Sequence, residues 1–337
     1  MSQPVWVMGG EQRVLFYEPK EWAAFKRALV VRVEDGRVER VLEYESPPAH
    51  RPDERPSHVF KAATIESGEG GEGGTAWLCT QTEVLVCDFP SFAIRRVISH
   101  PFFNDLHHVT PGPEGTLFVA VTGLDAVAEL TPEGKVLRLV SVLGGSPWDR
   151  FSAVTDYRKV PTTKPHQAHP NHVFFFDGHP WVTRFEQRDA IPLPGYGACG
   201  CQQPFEIGVS GVHDGHVVGD CIHFTSVSGR LVSFDLRTGE RTSLDLNVLG
   251  EPDDDRALGW CRGLLPDGDR AWVGFTRLRY TTLRRNLSWL RHGFRESEHH
   301  RQRPTRIARY DLARPALLAQ VDLEPAGMGA VFSVHQG

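Results

Sequence analysis

One pattern recurs five times in this chain of 337 residues, and it limits the possible folds more than any other feature. Ser57-His58-Val59 is followed, after a Gly/Glu-rich stretch, by Trp77-Leu78-Cys79-Thr80. His107-His108-Val109 leads to Leu117-Phe118-Val119 and Thr122. Asn171-His172-Val173 leads to Trp181-Val182-Thr183, and Val212-His213-Asp214 to His223-Phe224-Thr225. Cys261-Arg262-Gly263 leads to Trp272-Val273-Gly274 and Thr276. Each unit is a short strand, a polar turn such as Asp177-Gly178 or Asp267-Gly268, an aromatic-bearing strand, a Thr and a further hairpin.

Repeats of this length, each able to form one small antiparallel sheet, predict an all-β chain of stacked blades. The two ends supply a further unit. Ala330–Val334 reads as an inner strand, and Ala28–Val33 with Arg37–Tyr44 reads as an outer hairpin turned at Asp35-Gly36. A blade shared by both ends closes a ring and removes free sheet edges. The expectation is a six-bladed β-propeller forming one domain over residues 1–337; five or seven blades are also compatible with the uneven spacing. Glu21–Leu29 and Thr282–Glu298 read as short helices.

Composition excludes several classes. The net charge of -5 gives no bulk attraction to nucleic acid or an anionic membrane. There is no run of 18 apolar residues, no secretory pattern at the start and no disulfide spacing among the six cysteines. Cys199-Gly200-Cys201 fits neither ordinary disulfide geometry nor a common zinc motif. A cytoplasmic protein is expected. Phosphate loops, serine-nucleophile elbows and zincin helices are absent.

Gly115-Thr116-Leu117-Phe118-Val119-Ala120 with Ala126–Leu130, and Gly229–Asp235, carry a resemblance. From about residue 57 to 323 the chain resembles the propellers of the NHL, strictosidine-synthase and gluconolactonase-like superfamily. That implies the architecture. The calcium-binding carboxylate set of the lactonases has no clear match, so a calcium-dependent lactonase-like hydrolase is the weakest of the functional readings.

In a propeller the first strand of every blade lines the central channel. Aligning the units places His58, His108, His172, His213 and Arg262 around that axis. Imidazoles suit iron, zinc or copper better than calcium. The expectation is therefore a divalent transition metal, iron(II) first, held by His58, His108, His172 and His213. Arg262 would anchor an anionic small-molecule substrate through its guanidinium fork. An all-histidine iron centre on a propeller axis resembles the carotenoid-cleaving oxygenases in that arrangement alone. Oxygenase chemistry, or metal-assisted lyase or hydrolase chemistry, would follow. The competing account of the same column is an ordinary solvent-lined channel.

Strict strand alternation turns His107 away from the channel and into the sheet. His166, His169 and His216 are expected at the channel mouth or beside the ring, with Asp105 and Asp214 orienting imidazoles. The repeated threonines and aromatics read as structural. Residues 277–306 form an Arg-rich insertion, and its functional reading is a lid or a docking surface for an anionic partner. A non-catalytic binding or scaffold propeller recruiting a partner there is the alternative to an enzyme.

Overall fold

A computed structural model describes residues 3–13, 25–54, 56–68, 73–196, 203–250, 256–277 and 303–336. Its six four-stranded antiparallel sheets form a six-bladed β-propeller. The first blade runs β24 (Ala330–Gln336), β1 (Val5–Gln12), β2 (Phe25–Glu34) and β3 (Arg37–Tyr44) from its inner edge outward. The second comprises β4 (Thr64–Ser67), β5 (Gly74–Cys79), β6 (Val84–Asp88) and β7 (Ile94–Ile98). The third holds β8 (Leu106–Pro111), β9 (Leu117–Val121), β10 (Ala126–Leu130) and β11 (Val136–Ser141). The fourth holds β12 (Pro170–Phe176), β13 (His179–Arg184), β14 (Asp189–Pro192) and β15 (Phe205–Glu206). The fifth is β16 (Val212–Val218), β17 (Cys221–Ser226), β18 (Arg230–Asp235) and β19 (Arg241–Asp245). The sixth is β20 (Trp260–Asp267), β21 (Arg270–Thr276), β22 (Arg306–Asp311) and β23 (Ala316–Asp322).

The shared first blade forms as expected, with the turn at Asp35-Gly36, where both residues have positive φ. Its second strand, β1, comes from the extreme N-terminal segment, for which the sequence reading assigned no element. Phe25–Leu29 belongs to β2 and not to a helix, because Ala28 to Val31 alternate between the faces of a fully buried sheet. Residues 21–24, the second expected helix, Cys199 and Cys201 lie outside the described residues.

The core lies between blades. One apolar cluster fills each of the six junctions, for example Trp6, Met8 and Val30 of the first blade against Phe60, Leu78, Leu85 and Phe92 of the second. The predicted repeat aromatics Phe118, Trp181 and Phe224 are buried in these layers.

Neighbouring inner strands are not paired as a sheet, so their edge groups need other partners. Side chains supply them. Val173 N–H donates to His108 Nδ1 (3.1 Å), Gly263 N–H to Asp214 Oδ2 (3.1 Å) and Ala63 N–H to Ser333 Oγ (3.2 Å). Asn171 Nδ2 donates to Val212 O at 2.6 Å. The repeated threonines tie the second strands to inner strands. Thr122 donates to Pro170 O, Thr225 to Asp214, and Thr276 Oγ1 accepts from Val331 N–H.

Five of the six inner strands also carry a register shift where they pass the axis. A bulge of this kind inserts one residue and re-aims the side chains around it. It decides which residues reach the channel. Among the described residues no helix is long and apolar enough to cross a membrane.

Candidate functional site

The connections from one blade to the next and those between second and third strands gather on one face. There Lys159 bridges to Asp53, Asn104 to Tyr157 O and Thr163 to Gly123 O. Inner strands start at this face, so their first residues ring the mouth of the channel. Around that mouth stand Lys61, just ahead of β4, and His107, Asn171, His213, Arg262 and Phe332 of the other five inner strands, linked by the contacts below.

Contacts fix the chemistry of the ring. Asn171 uses Nδ2 as a donor to Val212 O, so its Oδ1 faces His107 Nδ1 at 2.7 Å as an acceptor. His107 therefore carries a proton on Nδ1, and its Nε2 lies 3.3 Å from both Lys61 Nζ and Asp105 Oδ1. The same ammonium faces Asp105 Oδ1 at 3.3 Å. Burial alone would raise the Asp105 carboxyl, but Lys61 and His107 hold it well below the usual carboxylate range. Burial pulls the Lys61 ammonium below its ordinary value, Asp105 pulls it back up, and Arg262 and Lys164 push it down. Lys61 Nζ also lies 4.6 Å from the centre of the Phe332 ring. The Arg262 guanidinium lies 4.7 Å from the same ring and 4.9 Å from Trp260. One aromatic thus separates two cations.

His213 differs from His107. It is 2% exposed, and neither ring nitrogen has a hydrogen-bond partner among the described residues. Asp214 Oδ1 stands 3.8 Å from Nδ1, within ion-pair range but too long for a hydrogen bond. Burial lowers the His213 imidazole, Asp214 opposes the shift, and Arg262 and Lys61 add to it. The ring is neutral near pH 7.

The mouth is roofed by residues 163–169. Asp125 takes the backbone N–H groups of Gln167, Ala168 and His169 at 2.8–2.9 Å and pairs with Arg150. This cradle holds His169 at φ 54°, a conformation uncommon for a side-chain-bearing residue. It brings His169 Nδ1 to 3.0 Å from His166 Nδ1 and its ring edge-on to His107, 4.8 Å between centres.

Deeper along the strands is a second group, His108, His172, His216 and His335. His108 and His172 stack face to face, 3.6 Å apart and 14° from parallel, and His216 lies 5.0 Å from His172. Burial drives His108 and His335 down to about 3 and lowers His172 and His216.

The expected four-histidine ring is not assembled in this structure. His58 lies apart at the junction of the first two blades, where its Nδ1 accepts from Ser46 N–H at 3.0 Å. His108 Nδ1 is taken by Val173 N–H, and its stacking on His172 turns faces, not lone pairs, toward each other. Among the described residues, no three His, Cys, Asp or Glu side chains converge as a metal site. The donors do not fit the metal expected from the sequence.

Arg262 stands within electrostatic reach of His213, and Asp105, His169 and, through His169, His166 gather around His107. His216 belongs to the deeper group. Asp214 binds Gly263 N–H and Thr225 and stands behind His213. His107, expected to face into the sheet, faces the axis instead, because the extra residue in β8 falls between Leu106 and His108. Lys61, Asn171 and Phe332 escaped the sequence reading. Of the Arg-rich insertion, residues 278–302 lie outside the described residues. Its flanks are structural: Arg277 pairs with Glu324, and buried Arg306 donates to Leu258 O.

No protein-family model matches the chain, and no curated protein matches it by sequence. Solved structures do. A protein of unknown function from Bacteroides caccae aligns over 99% of this chain and 98% of its own, with a TM-score of 0.57 and 10% identity. Catalytically inactive virginiamycin B lyase from Staphylococcus aureus, solved with quinupristin, aligns over 94% of this chain and 85% of its own, at 0.49 and 12%. The C-terminal WD40 domain of Sif2 aligns over 94% and 87%, at 0.49 and 10%. At such identities the likeness is one of fold.

Proposed function

We propose that this chain is an enzyme that acts on a small anionic substrate at the mouth of its channel, by lyase or hydrolase chemistry with His213 as general base. The observation that carries this is the state of His213: buried, neutral, without a hydrogen-bond partner among the described residues, and set between two cationic positions. A neutral imidazole backed by a carboxylate can take a proton from a substrate carbon or from water, and Asp214 stabilises the imidazolium that results. Lys61 and Arg262 supply fixed positive charge for a substrate carboxylate or phosphate and for negative charge that develops during reaction. His107 is held by Asn171 on one nitrogen and faces both Lys61 and Asp105 with the other, which suits it to positioning Lys61.

The test is binding of simple anions. Acetate, malonate, succinate, pyruvate and phosphate are titrated against the protein while its thermal midpoint is followed. At least one should raise the midpoint, as binding to the native state alone requires, by about 2.7 kcal/mol of stability at 100-fold over Kd. Arg262→Gln should abolish the shift. His213→Asn should keep it. No stabilisation by any of these anions, or equal stabilisation of the Arg262 variant, would overturn the proposal.

A further inference from the structure

Lys61 has the surroundings of a nucleophilic amine. Its side chain is only 9% exposed, yet it lies in the same axial ring as His213 and Arg262. One neighbour at 3.3 Å, His107 Nε2, is a neutral acceptor of a hydrogen bond from it. The other, Asp105, is a carboxylate able to stabilise the cation that would follow. Burial first, and then the two further cations Arg262 and Lys164, disfavour the ammonium form. A buried lysine beside other cations is the usual setting for Schiff-base chemistry. Lys26 lacks it: its side chain is half exposed and, among the described residues, pairs with Glu11 at 3.5 Å.

We infer that Lys61 forms an imine with a small 2-oxo acid or related carbonyl compound bearing an anionic group. This deepens the reading above by naming the substrate class of the same site. The Lys61 ammonium gives one proton to solvent water, and the free amine pair forms the C–N bond at the carbonyl carbon. The carbonyl π pair moves to oxygen, which takes up one of the two protons still on nitrogen to give a carbinolamine. That oxygen then takes a proton back from solvent and leaves as water, so that the protonated imine stands beside Asp105. The substrate carboxylate is held toward Arg262, and His213 faces the carbon next to the imine, whose acidity the positive nitrogen raises. No oxidant or reductant is consumed.

The experiment is reductive trapping. The intact protein is incubated with pyruvate or glyoxylate and sodium cyanoborohydride, digested and mapped by mass spectrometry. Lys61 should gain the mass of the oxo acid less one oxygen, at least tenfold faster than Lys26. Lys61→Arg should lose this adduct, and the anion-induced rise in thermal midpoint of the wild-type protein, read alongside, separates failure of this inference from failure of the binding site. Trapping at Lys61 no faster than at Lys26 would overturn the inference, and that comparison within the wild-type protein does not depend on any variant folding.

Discussion

His108 and His213 sit on equivalent inner strands and are equally buried, but they are different kinds of residue. His108 has an N–H donor from the next blade on Nδ1 and a stacked ring against its face, so its lone pair is committed to holding two blades together. His213 has no such commitment among the described residues. Replacing His108 with Leu strands the Val173 N–H, at a cost of about 1–3 kcal/mol. Urea unfolding should show that loss while anion binding at the mouth is unchanged. A variant as stable as the parent would remove the bracing role. The histidine column was thus half legible in sequence. The repeated "apolar or polar–His–Val" triplets of the third and fourth blades are real equivalents, but period-two alternation reads the wrong member of each pair as axial. Lys61 stands three positions beyond His58, the residue that the triplet aligned, and nothing in the sequence marks the offset. Arg262 and His213 were legible because their own blades keep the register as far as those residues.

At the scale of elements, the mouth depends on a loop whose N–H groups converge on one carboxylate. Asp125 accepts three consecutive backbone N–H groups and a guanidinium, so Asp125→Ala leaves one buried and two part-buried backbone donors without that acceptor. It should lower stability by at least about 2 kcal/mol. It should also speed amide exchange at residues 166–169 ahead of global unfolding, a local opening readable by mass spectrometry. Equal protection in the two proteins would show that the loop is held by other means. Strand pairings and hairpin turns were readable because Gly and Asp mark positive φ, as at Asp177-Gly178. The bulges were not, because no residue type signals an unpaired insertion in an inner strand.

For the whole molecule, the buried imidazoles set a pH limit. His107, His108 and His335 are lowered to about 3, and His58 and His223 to about 4, in each case by burial first. The unfolded chain protonates near 6.5. Above that value neither state binds these protons and stability is flat. As pH falls below it, the unfolded chain gains protons that the native state refuses, so stability declines until the native values are reached. Each such group contributes a slope of about 1.4 kcal/mol per pH unit. The urea midpoint should hold between pH 8 and 7 and drop steeply from 6.5 to 5; a level profile across that range would contradict neutral burial. Closure of the ring was the most legible property of all, since an inner strand at one end of the chain and an outer hairpin near the other are complementary halves of one blade.

The register shifts near the axis have a consequence for how such a protein can change. Where a shift occurs, adjacent residues on an inner strand can serve unrelated ends: His107 faces the channel, and His108 clasps the neighbouring blade. A substitution at the first position alters reactivity without loosening the assembly, and one at the second does the reverse. Chemistry and cohesion are therefore inherited separately along the same few residues. New activities can be sampled on this scaffold one axial side chain at a time, while the joints that keep six sheets in a circle stay as they are.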